Sequence, residues 1–189
     1  MKTKVAVIVG STRKDSINKR LAHALEKLGA DKFEFTQIAI DKLPLYNQDI
    51  ENDKPKEVMA FVEEVKKFST LLIVTPEHNR SIPAALKNAI DWGTRPAVGG
   101  NIWKDMAIAS AGTSPGAIGT ALAQAHLRQI FLSYGRVVMS GEMYLQMKEG
   151  LIDDAGNITN PDTEKFIKGY MDRFANFVAR EGSADKMAA

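Results

Sequence analysis

Apolar positions along the chain follow two regimes: short unbroken runs, and longer stretches with an apolar side chain every three or four residues. The first run, Val5 to Val9, reads as a buried strand and ends at Gly10. Ile17, Leu21, Ala24, Leu25 and Leu28 then share one face of a helix that Gly29 is placed to stop. Phe33 to Ile40 reads as a second strand, and Val58, Phe61, Val62, Val65 and Phe68 as a second helical stripe. Thr70 to Thr75 has the unbroken character of a central parallel strand buried on both faces. A third helix follows, capped by Ser81, with Pro83 near its start and Leu86, Ala89 and Ile90 on its inner side. Met106 to Ala111 predicts a fourth strand, and residues 117 to 134 a long helix carrying Leu127, Ile130, Phe131 and Tyr134. Val137 to Met139 predicts the fifth strand. After a turn at Asp154 to Asn157, Phe166, Tyr170, Phe174, Phe177 and Val178 mark the last helix.

Five strands alternating with helices predict an α/β fold, a doubly wound five-stranded parallel sheet with helices on both faces, in three layers, for which the order 2-1-3-4-5 is expected. The 189 residues fit one domain, assigned to 1–181; the small, polar tail from Gly182 to Ala189 is expected to be disordered. In such a sheet ligands bind beyond the carboxyl ends of the strands, where the strand order reverses. Strands one, three and four lie side by side in this order, so the polar turns that follow them converge on one crevice.

The first of these turns, Gly10 to Asn18, carries the densest chemistry. Backbone N–H groups at a helix start, the hydroxyls of Ser11, Thr12 and Ser16, and the Arg13 guanidinium all donate hydrogen bonds, and the helix dipole adds positive charge. Such a set suits a phosphate monoester. The alternative is an ordinary strand-to-helix turn capped by Asp15 or Ser16. No Gly-Lys-Ser/Thr follows, and no Gly-x-Gly-x-x-Gly is present. The second turn is Pro76-Glu77-His78-Asn79-Arg80, and the third is Gly112-Thr113-Ser114-Pro115-Gly116.

Composition removes other chemistries. Twenty-five Lys and Arg against 23 Asp and Glu give a net charge of +2, spread along the chain rather than gathered into a nucleic-acid stripe. Cysteine is absent, which excludes disulfides, thiol nucleophiles and thiolate metal sites; no closely spaced His and carboxylate motif suggests another metal. The first apolar run is too short for a signal peptide or a membrane span, so a soluble cytoplasmic protein is expected.

Gly10-Ser11-Thr12-Arg13-x-x-Ser16-x-Asn18, Pro76-Glu77-His78-Asn79 and Arg80-Ser81-Ile82-Pro83-x-x-Leu86-Lys87-Asn88-Ala89-Ile90-Asp91-Trp92 together resemble the NAD(P)H-dependent FMN reductases of flavodoxin-like fold, which include bacterial chromate and quinone reductases. The resemblance spans Lys4 to Arg180. It implies an FMN cofactor whose phosphate is held by Ser11, Arg13, Ser16 and Asn18, with Thr12 and Ile17 among the other cofactor-binding residues. Pro76, Glu77, His78 and Asn79 would run along the flavin ring, and Gly112, Thr113 and Ser114 would close the other side. Many members have Tyr where this chain has His78. NADPH or NADH would be the electron donor, with Arg80 and Arg95 as candidates for its anionic groups, unless they serve the solvated surface or an ion pair. Glu77 has two readings, general base or structural hydrogen bonding. A flavin carries the bond-making electronics itself, so no catalytic side chain or metal is required.

The same resemblance implies a ping-pong cycle ending on quinones, free flavin, chromate or ferric chelates. It implies a homodimer or homotetramer, with an interface sought around Leu43 to Tyr46 and Trp103; simple core packing is the other reading of Trp92 and Trp103. No nucleic-acid or membrane partner is expected. The alternative function is a flavodoxin-type electron carrier without pyridine-nucleotide activity. Such carriers are generally acidic, with a Thr-rich phosphate loop lacking arginine. A phosphate-ester hydrolase or nucleotide-binding regulator using the first loop alone is a third reading, which lacks a nucleophile and metal carboxylates.

Overall fold

Alternation inside the apolar runs decides how the sheet is covered. In β1 (Thr3–Val9), Val5, Val7 and Val9 point to one face while Ala6 and Ile8 point to the other, and all five are buried. β3 (Thr70–Val74) divides in the same way, Leu72 and Val74 against Leu71 and Ile73. A strand apolar on both sides needs a layer on each face. The computed structural model, which describes residues 2–134 and 139–187 and the last six of these by backbone alone, supplies both layers. α1 (Ile17–Gly29) and α5 (Pro161–Met187) cover one face; α2 (Lys56–Val65), α3 (Ala84–Trp92) and α4 (Ala121–Leu132) cover the other.

With β2 (Phe33–Gln37), β4 (Ala107–Ser114) and β5 (Met143–Gln146), the strands form one parallel sheet in the order β2-β1-β3-β4-β5. This is the predicted flavodoxin-like topology. The register pairs Ala6 with Leu71 and Leu71 with Ile108, so the carboxyl ends of β1, β3 and β4 reach the same edge.

Several element boundaries differ from those the sequence predicts. Val137 and Val138 lie outside the described residues, and the fifth strand of the sheet is Met143–Gln146. Only Met143 and Leu145 of this strand are buried, as expected of an edge strand with one covered face; Met139 nonetheless donates its N–H to Ile108 O at 2.9 Å. β4 runs on through Gly112, Thr113 and Ser114, which the sequence places in a loop, because Thr113 and Ser114 pair with Leu145 and Gln146. α4 therefore begins at Ala121, after a turn in which Gly119 has φ +63°. β2 ends at Gln37, although Ile38 still donates to Val7 O at 2.8 Å. Ser81 does not cap α3, which starts from Pro83. Phe166 is exposed, and Ile167, Tyr170, Met171, Phe174 and Phe177 form the buried stripe of α5. Where disorder is expected from Gly182, the backbone stays helical to Met187.

Trp92 and Trp103 are both core residues, which removes Trp103 from any exposed interface. Trp92 donates its indole N–H to Pro44 O at 2.8 Å, and Trp103 donates to Ile90 O at 3.0 Å. Gly93 packs directly on Trp103: a Cβ there would stand 2.5 Å from the indole ring. Gly93→Ala is therefore expected to destabilise the protein by about 1–3 kcal/mol through overpacking, read as a lower urea midpoint with an unchanged slope.

Candidate functional site

Main-chain hydrogen bonds stitch the carboxyl edge of the sheet beyond the strands themselves. Gly10 donates its N–H to Val74 O at 2.8 Å, and Thr75 donates to Ala111 O at 2.9 Å. A side chain at Gly10 would press on Leu86 Cδ2 and Thr75 Oγ1, both 3.0 Å from an added Cβ. Bare backbone lets β1 close against β3 here. Asn18, in the first turn of α1, spans from the first loop to β4: its Nδ2 donates to Thr113 O at 2.9 Å, and Thr113 N–H donates to Asn18 Oδ1 at 3.0 Å. Asn18 and Thr113 are both buried. The first and third turns of the sequence reading are thus clamped together.

Within the first loop, Ser16 is the N-cap of α1, accepting Asn18 N–H at 3.2 Å, so the capping alternative applies to this residue. Ser11 is half-buried and its Oγ accepts Arg13 N–H at 3.4 Å. Ile17 packs on the core shared by α1 and α5. Thr12, Arg13, Lys14 and Asp15 are exposed, and neither Arg13 nor Lys14 has a side-chain ion pair among the described residues. The loop therefore presents two uncommitted cations beside the positive end of a helix.

The second turn is anchored to α4. Glu77 Oε2 accepts the N–H groups of Leu122 and Ala123 at 3.0 and 3.1 Å. The N-cap of α4, Thr120, makes no side-chain cap bond; its hydroxyl accepts from Gln124 Nε2 instead. Glu77 thus supplies the missing cap, a carboxylate on the positive helix end. Of its two readings, this contact is the structural one. His78 and Ser81 then exchange both backbone hydrogen bonds, 2.9 and 3.0 Å, around a two-residue turn. Asn79 and Arg80 have φ of +50° and +66°, left-handed values that Asn tolerates and that cost a residue such as Arg about 1–2 kcal/mol. Ser81 Oγ is hydrogen-bonded to His126 Nδ1 at 2.9 Å, a second tie to α4.

At the third turn, a Cβ on Gly112 would collide with Thr120 Oγ1 and Thr75 O, so only glycine allows this close approach. Thr113 donates its hydroxyl to Leu145 O at 2.8 Å, and Ser114 donates to Gly119 O at 2.8 Å. Arg80 is exposed at the rim. Arg95 stands apart from these turns and is committed: its Nε lies 3.6 Å from Glu51 Oε1, and its guanidinium lies 5.1 Å over the Tyr46 ring. Tyr46 donates its hydroxyl to Glu51 Oε2 at 3.0 Å, and burial first, then that carboxylate, push its phenol above the ordinary value.

Two contacts escape the sequence reading. Gln124 is buried and donates to Met143 O at 2.8 Å, holding α4 to the start of β5. Thr120 and Gln124, four residues apart, signal this pair as polar positions on the inner side of α4. The Ser81–His126 bond has no local signal. Two concavities adjoin the turns. One of about 240 Å³ lies beside the first loop, with Ser11, Thr12, Lys19 and Asp41 in its wall. A larger groove of about 770 Å³ runs between α3 and α4 past His78 and Asn79. Among the described residues no group of three or more His, Asp or Glu could hold a metal ion, and no helix is long and apolar enough to cross a membrane.

Comparison with known proteins places this rim in context. The family model described as NADPH-dependent FMN reductase matches residues 3–150. A Burkholderia protein named 2-hydroxy-1,4-benzoquinone reductase is 48% identical over 179 residues, covering 94% of this chain and 97% of its own length. A quinone reductase of Pseudomonas putida is 42% identical over 177 residues, 92% of this chain and 94% of its own. Among solved structures, FerB, a flavoenzyme NAD(P)H:(acceptor) oxidoreductase from Paracoccus denitrificans, superposes with a TM-score of 0.89 at 43% identity, covering 95% of this chain and 98% of that one.

The Asn18 clamp has a measurable weight. Asn18→Ala leaves the Thr113 N–H and C=O without that partner in a buried setting, and is expected to cost about 1–3 kcal/mol in urea unfolding.

Proposed function

The chain belongs to the NADPH-dependent FMN reductase family, whose cofactor is FMN and whose donor is NAD(P)H, and from that premise we propose that its clamped rim is the flavin site of a quinone reductase. The observation that carries the reading is the Asn18–Thr113 pair, which fastens the cation-bearing first loop to the sheet edge that the other turns share. Ser11, Thr12, Arg13 and the start of α1 with Ser16 and Ile17 would hold the phosphate, with Asn18 bracing them. Pro76, Glu77, His78 and Asn79 would border the ring, and Gly112, Thr113 and Ser114 would close the site. The donor set fits the group: exposed Arg13 and Lys14 beside the start of α1 suit a dianion.

Bound FMN would supply two-electron chemistry, by which NAD(P)H, a proton and a quinone would become NAD(P)⁺ and a hydroquinone. The chain binds and orients. Its rim is open, and donor and acceptor would use it in turn, a ping-pong order. A hydroxylated benzoquinone is the acceptor best supported, by the name of the relative 48% identical to this chain. Arg80, exposed at the hairpin tip, would be the arginine to meet the donor's anionic groups; Arg95 is engaged with Glu51 and Tyr46.

Anaerobic NADPH is expected to bleach the visible flavin absorbance of the purified protein, and a quinone to restore it. A yellow protein inert to NADPH and NADH would instead match a one-electron carrier. Arg13→Ala is expected to weaken FMN binding by about 1.5–3 kcal/mol, roughly 10- to 150-fold in Kd by fluorescence titration; unchanged affinity would place the phosphate elsewhere.

A further inference from the structure

β1 and β2 are paired as far as Val7 and Gln37, and beyond the bond from Ile38 N–H to Val7 O the register of β1 continues with β3 alone. The cavity of about 240 Å³ stands at this carboxyl end of the β1–β2 pair. Its wall is apolar at Val9, polar at Ser11 and Thr12 of the first loop, and carries one charge of each sign, Lys19 of α1 and Asp41 beyond β2. Lys19 is half-buried and Asp41 exposed, and neither side chain has a hydrogen bond or ion pair among the described residues. Gln37, also in the wall, is engaged: its Nε2 donates to Glu26 Oε1 at 2.8 Å. The flavin ring is assigned to the turns after β3 and β4. In the order β2-β1-β3-β4 the cavity lies two inter-strand spacings from them, about 10 Å, with the first loop between.

We propose that this cavity receives the adenosine ribose of the nicotinamide donor, and that Asp41 and Lys19 set the choice between NADH and NADPH. The assignment rests on the reductase reading and gives the donor's far end a place that the flavin does not occupy. NADH presents a ribose diol there, two hydroxyl donors for a carboxylate that can only accept. NADPH presents a 2′-phosphate, which a carboxylate repels and an ammonium attracts. In parallel sheets that bind dinucleotides, an acidic residue at the end of the strand next to the phosphate loop has the first role, and a cation nearby the second. Asp41 and Lys19 stand in those two places with no other partner to satisfy. Asp41 therefore favours NADH, Lys19 favours NADPH, and each opposes the other.

Neither side chain belongs to the core, so both can be replaced without disturbing the fold. Steady-state kcat/KM is measured on the holoenzyme for NADPH and for NADH with one quinone. Asp41→Asn is expected to raise the NADPH-to-NADH ratio by about tenfold, and Lys19→Gln to lower it, the second effect shrinking with added salt. A ratio that stays fixed, or moves the same way in both variants, overturns the proposal. So does a loss of FMN affinity in either variant, which would put the cavity in the flavin site. Calorimetric titration of ADP-ribose and of its 2′-phosphate into the holoenzyme separates this from the parent reading. Binding that shifts between the two probes in the Asp41 and Lys19 variants, without oxidation of either donor, overturns the reductase reading alone. Turnover with probe binding indifferent to residues 19 and 41 overturns the ribose site alone.

Discussion

Two hydrogen bonds between one carboxamide and the two peptide groups that flank Thr113 hold the candidate site of this protein together. Asn18 sits at the start of the helix after β1, and Thr113 near the end of β4, with β3 between those two strands. A parallel sheet brings its strand ends to one edge but does not by itself fix the loops beyond them. The Asn18 side chain does so, matching donor to acceptor and acceptor to donor in a buried setting where neither peptide group has water as a substitute.

A second set of contacts joins the hairpin to α4. Glu77 caps the helix from 45 residues away in sequence, and Ser81 meets His126 one turn further along. Between them lie Asn79 and Arg80 in left-handed conformations, a backbone shape that needs support from its neighbours to persist. Gln124 carries the connection onward to β5. Hairpin, helix and edge strand therefore form one continuous hydrogen-bonded body, and the groove wall is part of it.

Legibility in the sequence tracked how local each signal was. β1 and β3 stand out because both faces are covered and the apolar run is unbroken; β5 does not, because as an edge strand it buries only Met143 and Leu145. The doubly wound parallel sheet followed from the alternation of elements, and the order expected for it was found in the structure. The boundary between β4 and α4 was displaced because the pairing of Thr113 with Leu145 extends the strand through residues with turn chemistry. Asn18 was marked as a phosphate ligand by its motif, yet its amide bonds to a residue 95 positions later, a relation no local pattern carries. Arg95 was ambiguous in sequence because its partners, Glu51 and Tyr46, are brought to it only by folding.

The absence of cysteine acquires a meaning beside the proposed acceptor. Quinone rings are soft electrophiles, and a thiolate adds to them readily, leaving an arylated side chain in place of a turned-over substrate. This sequence has no sulfhydryl, so a quinone at the proposed site would meet no thiol of the chain to arylate.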